Sequence, residues 1–288
     1  MTVSTAADVE ASQLRVRRLG ITDEAALRLL CRRDPITHCF VNSRIGVSLA
    51  SAAPTFFLGV FDKDQVLKSA LYVGANVVPI ETDDIDRRAL AAVLESAAAK
   101  TSSLVGPQHE VLDLWRLLEV PWGPAREVRV DQQLLVIDHP AQADALIGVR
   151  PVRESELEMF VPACVAMFTA EVGVSPLAGG MAAAYHARVS ETVRAGRALA
   201  LFDGSQVVFK AEVGSVADGV CQVQGVWVDP SNRGRGFGIA GMAAVVEYAR
   251  AHFAPVVSLY VNHYNEVARR AYARVGFRQH ATYATVLR

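Results

Sequence analysis

Gln222–Ala240, QVQGVWVDPSNRGRGFGIA, is the stretch that decides the fold of the second half of the chain. It begins with β-branched and aromatic residues, which predict a strand ending near Val228. Asp229 and Pro230 end this strand, because proline donates no ladder hydrogen bond and aspartate favours turns. The glycine-rich turn Arg233–Gly238 then leads into an apolar run that predicts a helix. The free N–H groups at such a helix start lie at the positive end of the helix dipole and suit a pyrophosphate.

The surroundings of this turn discriminate among other interpretations of it. A P-loop is excluded because no Gly-Lys-Ser/Thr follows. Gly236, Gly238 and Gly241 match the dinucleotide pattern G-x-G-x-x-G, but Asp229–Arg235 separate the strand from the first glycine, and the next strand ends in Asn262 rather than an acidic residue. This context argues against a nicotinamide-dependent oxidoreductase. A structural turn that uses glycine only for its backbone freedom stays open.

The turn resembles motif A of the GNAT superfamily of acyl-CoA-dependent N-acyltransferases. The family pattern is Gln/Arg-x-x-Gly-x-Gly/Ala after a Val-x-Pro lead-in, and it is filled here by Val228, Pro230, Arg233, Gly236 and Gly238. The family's second motif, Asn-x-x-Ala-x-x-x-Tyr followed by Gly-Phe, is filled downstream by Asn265, Ala268, Tyr272, Gly276 and Phe277. Two motifs at the expected separation are more specific than either motif alone.

Composition limits the class of protein. Hydrophobic residues make up 51% of the 288 residues and charged residues 20%, which is typical of a globular chain. The formal net charge of −1 provides no field to attract nucleic acid or an anionic membrane, so we expect neither partner. We find no signal-peptide core and no run of 18 apolar residues. Four dispersed cysteines predict buried, reduced thiols in a cytoplasmic protein.

The chain contains one pattern of elements twice. Leu14–Leu19 and Ile147–Val152 are similar alternating strands, and each precedes a predicted helix. A β-hairpin follows in each copy, with turns at Asp62–Asp64 and Asp203–Ser205. Internal repetition at this scale predicts two copies of a single α+β unit.

By the resemblance, we expect an α+β fold of two tandem GNAT-like domains, each a mixed, mostly antiparallel twisted sheet flanked by helices. The predicted limits are a flexible tail at 1–12, a first domain at 13–138, a linker at 139–145 and the catalytic domain at 146–288. Where the second copy has its glycine turn, the first has Val78–Asp84, with no glycine and three acids. Because these acids would repel a phosphate, we expect the first domain to be degenerate, with a structural or substrate-shaping role.

The resemblance also implies which residues hold acetyl-CoA. The pyrophosphate is expected on the turn and helix start, which comprise Arg233, Gly234, Arg235, Gly236, Phe237, Gly238 and Ile239. The pantetheine arm is expected along Val226, Trp227 and Val228, where two central strands separate, and against Asn265, Ala268 and Tyr272. Solvent-exposed charge is the alternative for the two arginines, and a helix N-cap is the alternative or additional role of Asn265.

Amine attack on a thioester needs a base, an oxyanion donor and an acid for the thiolate. Tyr272 matches the family's acid position, although a tyrosine on a helix is often a core residue. A backbone N–H near Val226 is the expected oxyanion donor. Gln222 and Gln224 occupy the positions where many relatives have a basic glutamate, so Glu212 and Glu171 are the candidate bases, with proton loss through water as the alternative.

The sequence thus predicts an N-acetyltransferase that transfers an acetyl group from acetyl-CoA directly to a primary amine in a ternary complex, releasing coenzyme A. The alternative is a non-catalytic acyl-CoA-binding or sensing module of the same fold. We expect no metal. The acceptor is a small-molecule or peptide amine that the sequence does not identify further, and a homodimer stays open.

Overall fold

The structure, a computed structural model, describes residues 14–50, 54–94 and 101–288. The chain divides into two compact units. Unit 1 consists of Met1–Leu134 and Gln279–Arg288, and unit 2 consists of Leu135–Arg278. The two units have the same order of elements along the chain, as the internal repetition predicts. Within the described residues, no helix is both long and apolar enough to span a bilayer.

Unit 1 consists of a meander of strands and of helices that cover the resulting sheet. Its strands are β1 (Arg15–Arg18), β2 (Phe56–Phe61), β3 (Leu67–Val73), β4 (Asn76–Ile80), β5 (Ser103–Pro107) and most of β6 (Glu127–Ile137). Its helices are α1 (Glu24–Cys31), α2 (Cys39–Ser48), α3 (Asp84–Leu94) and α4 (Gln108–Trp122). The sheet order is β1-β2-β3-β4-β5, and the next strand is the last strand of the chain, β12 (Arg278–Leu287).

Unit 2 repeats this plan. Its strands are β7 (Arg150–Pro151), β8 (Ala198–Asp203), β9 (Gln206–Ala217), β10 (Val220–Val228) and β11 (Val256–Asn262). Its helices are α5 (Leu157–Val172), α6 (Ala182–Arg194), α7 (Phe237–His252) and α8 (Glu266–Val275). The sheet order is β7-β8-β9-β10-β11, and the end of β6, Leu135–Ile137, lies beside β11.

Both sheets are mixed and mainly antiparallel. Each of the strands β1 to β4 pairs antiparallel with the next strand in the chain, and the same holds for β7 to β10. Strand β12 pairs antiparallel with β5. The pairs β4–β5 and β10–β11 are parallel. Each parallel pair is joined through a crossover helix, α3 or α7, because parallel neighbours need a long connection.

Alternation along β9 gives the sheet of unit 2 two different faces. Phe209, Ala211 and Val213 pack against α7 in a cluster that also contains Tyr272. A β-bulge between Val207 and Phe209 interrupts this alternation. Val207 therefore faces the other way and packs with Phe160 of α5 in a second cluster. The side chains that project from this second face of β9 therefore lie under α5 and α6.

The structure revises several predicted elements. The first-copy loop predicted at Val78–Asp84 begins instead as strand β4, and only Glu81–Asp83 connect it to α3. The amphipathic, alanine-rich run Ile85–Lys100 predicts a helix. In the structure α3 starts one residue earlier, at Asp84, and the predicted end lies outside the described residues. The predicted limits of 146–288 for the second domain stay a prediction. The register of β12, from Tyr283 opposite Pro107 to Leu287 opposite Ser103, places that strand in the sheet of unit 1.

Candidate active site

Strands β10 and β11 separate in the middle of the unit 2 sheet. Their parallel pairing runs only from Val220 opposite Val256 to Gln222 opposite Ser258, although β10 continues to Val228 and β11 to Asn262. On its other side, β10 stays paired with β9 through two register shifts, one of them between Gln224 and Trp227. The main chain of β10 beyond Gln222 is therefore left to face an opening between the two strands.

A tight turn follows β10 and positions the start of α7. The Asp229 side chain accepts a 2.9 Å hydrogen bond from the Ser231 N–H and begins a single 3₁₀ turn. Gly234 (φ 75°) and Gly236 (φ 85°) are left-handed, a conformation that glycine adopts without steric cost. Ile239 donates to the Gly236 carbonyl at 3.0 Å, so the N–H groups of Phe237 and Gly238 precede the first hydrogen bond of the helix.

The two arginines of the turn are held against it. Arg233 Nε donates to the Val228 carbonyl at 3.2 Å, and Arg235 Nη1 donates to Asn232 Oδ1 at 2.9 Å. Both bonds are exposed to solvent, so each guanidinium keeps donors for a second partner. Positive side chains, the left-handed glycines and the helix dipole thus converge on one anion-binding entrance.

On the opposite wall, Asn265 is a helix cap. Its Oδ1 accepts a 3.2 Å hydrogen bond from the Ala268 N–H at the start of α8, so the N-cap role that the sequence left open is present. The side-chain amide nitrogen of Asn265 is not used by this bond, and the residue also lines the opening between the strands. A capping asparagine therefore leaves a polar group available to a ligand.

The opening is a cleft of about 440 Å³. Eight of the predicted cofactor residues line it: Val226, Trp227, Val228, Arg233, Gly238, Asn265, Ala268 and Tyr272. Gly234, Arg235, Gly236, Phe237 and Ile239 form the turn and helix start and are not part of this lining. Sequence reasoning missed Val267 and Ala271, which lie beside Ala268 and Tyr272 on α8. The available sequence signal was an apolar residue, Val267, in the otherwise charged start of α8. In the structure Val267 is 74% exposed.

Tyr272 reaches the cleft from within the core. It is 8% exposed and packs edge-to-face on Phe277 at 5.9 Å between ring centroids. Burial, with a smaller contribution from the charge of Glu171, raises the pKa of the Tyr272 phenol above its usual range. The hydroxyl therefore stays protonated at neutral pH, which is the state that donates a hydrogen bond to a thiolate. The core and acid interpretations of this tyrosine are compatible.

Glu212 lies on the second face of β9 in a buried ion pair that the sequence analysis missed. Lys210 Nζ, which has no exposed surface, donates to Glu212 Oε1 at 2.7 Å. Burial alone would raise the pKa of Glu212, but the charge and hydrogen bond of Lys210 hold that pKa below its ordinary value. A carboxylate stabilised in this way is a weak proton acceptor. The available signal was a single lysine inside the apolar strand VVFKAEV.

Glu171 is exposed at the C-terminal end of α5. Its charge contributes to the raised pKa of Tyr272, which places the carboxylate within electrostatic range of the cleft. The two predicted bases are therefore in different settings, since Glu212 is tied to Lys210 and Glu171 is open to solvent.

Unit 1 has the same strand separation but a closed entrance. Strands β4 and β5 pair only at Asn76–Ser103 and Val77–Leu104 before they separate. At the end of β4, the buried Glu110 of α4 accepts hydrogen bonds from the Thr82 N–H at 2.8 Å and from Thr82 Oγ1 at 2.5 Å. A carboxylate of the protein itself thus occupies the main-chain donor that an anion would need, in addition to the acids at 83 and 84.

Comparison with known proteins agrees with this geometry. Residues 181–277 match the acetyltransferase (GNAT) family, and residues 56–160 match a domain of unknown function, DUF4081. A tandem GNAT protein from the clavulanic acid biosynthesis pathway superposes with a TM-score of 0.57 at 14% identity, covering 95% of this chain and 98% of that chain. A GCN5-related N-acetyltransferase from Sphaerobacter thermophilus gives 0.59 at 15% identity, with 95% and 94% covered. No curated protein matches the sequence.

A GNAT-family acetyltransferase from Colwellia psychrerythraea has the same overall architecture, with a TM-score of 0.56 at 11% identity over 95% of this chain and 99% of that chain. Unit 2 therefore contains a segment, residues 181–277, that matches the GNAT family, and the chain has the fold of tandem GNAT proteins. The resemblance drawn from the motifs and the predicted α+β tandem fold are confirmed. At these identities the superpositions establish the fold, and the roles of individual residues stay predictions.

Proposed function

We propose that the protein is an N-acetyltransferase that binds acetyl-CoA in unit 2 and transfers the acetyl group directly to a primary amine. The observation that carries this proposal is the cleft between β10 and β11, which opens beside a left-handed glycine turn at a helix start. An extended amide chain needs unpaired main-chain partners, and the free edge of β10 offers them. A diphosphate needs N–H donors and positive charge, and the turn offers both.

Each reacting group has a residue that suits it. The main-chain N–H near Val226, beside the irregular part of β10, would stabilise the oxyanion that forms when the amine nitrogen attacks the thioester carbon. As the carbon–sulfur bond breaks, the protonated phenol of Tyr272 donates to the departing thiolate. Glu171, directly or through water, is the better candidate for the amine's proton, because the charge of Lys210 reduces the basicity of Glu212.

Isothermal titration with coenzyme A tests the binding half of this proposal. We expect tight binding to the intact chain and a large loss in Arg233→Ala, because a guanidinium on a phosphate contributes a charge-assisted hydrogen bond. Arg250→Ala is the matched control, since Arg250 lies at the far end of α7 and donates to the Pro255 carbonyl. Equal affinity in all three proteins, or no binding at all, would contradict the assignment.

A second function, acyl-CoA binding without turnover, is favoured by the state of Glu212, whose carboxylate is engaged by Lys210. The two functions differ in one measurable property. An acetyltransferase releases free thiol from acetyl-CoA when amines are added, whereas a sensor binds acetyl-CoA and releases none. Thiol release that rises with amine concentration and falls when Tyr272 is replaced would identify the protein as an acetyltransferase.

A further inference from the structure

A second polar cluster lies beside the proposed acyl site, between the sheet of unit 2 and helices α5 and α6. Glu212 is at its centre. Its carboxylate accepts from Lys210 Nζ at 2.7 Å and from Cys164 Sγ at 3.7 Å, and it faces Arg188 Nη1 of α6 at 3.8 Å. We call these four residues, together with Tyr185 of α6, the β9 cluster.

The β9 cluster carries more positive than negative charge. Two cations, Lys210 and Arg188, face one carboxylate, and burial keeps the Cys164 thiol neutral by raising its pKa to about 12. At 3.8 Å, the contact between Arg188 and Glu212 is a charge interaction rather than a hydrogen bond. The planar donor fork of Arg188, which is 45% exposed, therefore keeps its capacity for another carboxylate.

The cluster also contains a polar atom that needs a partner. The Tyr185 hydroxyl is buried and makes no hydrogen bond to any residue that the structure describes. Arg188 stacks on the same tyrosine ring, with its guanidinium carbon 4.8 Å from the ring centroid. A buried donor without a partner is unfavourable, so a ligand or water group is expected to satisfy it.

The position of the β9 cluster links it to the acyl site. Gly225 is left-handed (φ 61°) within the irregular part of β10, and a side chain there would lie 3.2 Å from Lys210 Nζ and 3.4 Å from Glu212 Oε1. The side chain of Gln224, an exposed residue, lies over Gly214 and forms a hydrogen bond with Glu212. The cluster thus lies directly behind the segment of β10 that precedes Val226, whose main-chain N–H is the proposed oxyanion donor. Gln224 and Arg188 connect the cluster to solvent.

We propose that the β9 cluster binds a carboxylate of the acceptor, with Arg188 and the Tyr185 hydroxyl as the donors, so that the amine substrate is an amino acid. This inference rests on the proposed acetyltransferase function and specifies its substrate class. A carboxylate offsets the surplus positive charge and gives Tyr185 its missing acceptor.

Matched acceptors test the substrate class. Thiol release from acetyl-CoA is measured with α-, β- and γ-amino acids, and with the decarboxylated amine and the carboxamide of each. We expect kcat/KM to be about 10- to 100-fold higher for the preferred amino acids than for their partners without a carboxylate, which is the ratio that one or two hydrogen bonds to a charged group supply.

Variants test the residues. In Arg188→Ala, the preference for the amino acid over its decarboxylated partner is expected to fall about tenfold, mainly through KM, and Tyr185→Phe is expected to lower it less. Arg194→Ala is the matched control. It lies on the same helix, pairs with Glu154 at 3.1 Å on the surface, and is expected to keep both activities and their ratio.

The outcomes separate this inference from the proposed function. Failure to bind coenzyme A overturns the proposed function itself. Coenzyme A binding with acylation of neither acceptor series overturns both, because it is the behaviour of a binding module. Coenzyme A binding with equal use of both acceptor series, or with a preference that Arg188→Ala leaves intact, overturns only the carboxylate site. A preference that falls in Arg188→Ala and persists in Arg194→Ala supports it.

Discussion

At the scale of single residues, Tyr272 joins the core of unit 2 to its cleft. Its raised pKa keeps the phenol protonated, and only the hydroxyl is lost in Tyr272→Phe. We expect coenzyme A affinity to be unchanged and kcat to fall by about 100-fold, the lower end of what a positioned acid contributes. Single-turnover thiol release measures this effect. Tyr248→Phe is the control, because Tyr248 stacks on His252 at 4.0 Å elsewhere on α7. An unchanged kcat would exclude the acid role.

Gly236 controls the shape of the anion-binding entrance. A side chain there meets no atom within 4 Å, so alanine would be tolerated sterically, but φ is 85°. Alanine in this conformation costs about 1–2 kcal/mol, and relaxation of the turn would redirect the N–H groups that precede α7. We expect Gly236→Ala to weaken coenzyme A binding at least tenfold by calorimetry.

Gly204 is the matched control for this glycine. It is also left-handed (φ 57°) and equally open, but it lies in the β8–β9 hairpin turn. Gly204→Ala should therefore cost similar stability and leave coenzyme A affinity unchanged. Similar binding losses in both variants would mean that general destabilisation, and not the turn, accounts for the effect.

Several residues of the candidate site could be predicted from sequence because their spacing is local. The strand, turn and helix around Arg233 and Gly238 are continuous in the chain, and Asn265, Ala268 and Tyr272 share one helix. Lys210 could not be assigned in this way. Its proximity to Gly225 depends on the register of β9 against β10, which two irregularities change, and no local pattern encodes such shifts.

At the scale of secondary structure elements, the entry to α5 is fixed by one bidentate ion pair. Arg150 Nη2 and Nη1 donate to the two Glu156 oxygens at 2.6 and 2.8 Å, and the Arg153 N–H donates at 2.9 Å. These bonds, with Arg150 contributing most, lower the pKa of Glu156 to about 2. Because the folded-state pKa is below the unfolded one, the stabilisation is complete above about pH 5 and disappears as the pH falls towards 2.

Glu156→Gln tests this pH dependence. We expect the variant to be less stable than the parent by about 2 kcal/mol at neutral pH, with a difference that shrinks steadily below about pH 5. Urea unfolding at several pH values measures it. Glu154→Gln should change stability by less than about 0.5 kcal/mol, since Glu154 pairs with Arg194 where both side chains are more than half exposed. A pH-independent difference would argue against the ion pair as the cause.

The separation of strands is an element-level feature that sequence reasoning only partly reached. Motif resemblance predicted it in unit 2, where the turn carries glycines. In unit 1, the same separation of β4 and β5 was not expected, because the acidic run at 81–84 does not resemble a binding turn. The closing contact from Glu110 to Thr82 joins residues far apart in the chain, and only the tertiary structure reveals it.

At the scale of the whole molecule, the repeated order of elements was readable from sequence, but the partner of the final strand was not. Strand pairing is non-local, and β12 has similar alternation whichever sheet it joins. Tyr283, Ala284 and Val286 of β12 are buried, and the last two pack in the unit 1 cluster with Leu104 and Trp115.

Val286→Ala measures the contribution of β12 to unit 1. Removing two methyl groups from a fully buried site is expected to cost about 1–2 kcal/mol. Amide hydrogen exchange should therefore accelerate about tenfold in β5, which pairs with β12, and remain unchanged in β8. Val128→Ala, at a 41% exposed position of β6, is the control. Faster exchange in β8 and not in β5 would contradict the observed pairing.

The place of β12 also has a consequence for synthesis of the chain. Translation proceeds from the N-terminus, and domains usually fold as soon as they have emerged from the ribosome. Here the earlier-made unit must wait with the edge of β5 uncovered until residues 278–287 have left the exit tunnel. During that interval its exposed edge is a hazard for wrong pairing and a natural target for chaperones. A nonsense mutation just before the codons of β12 would thus first impair the half of the protein that was made earliest.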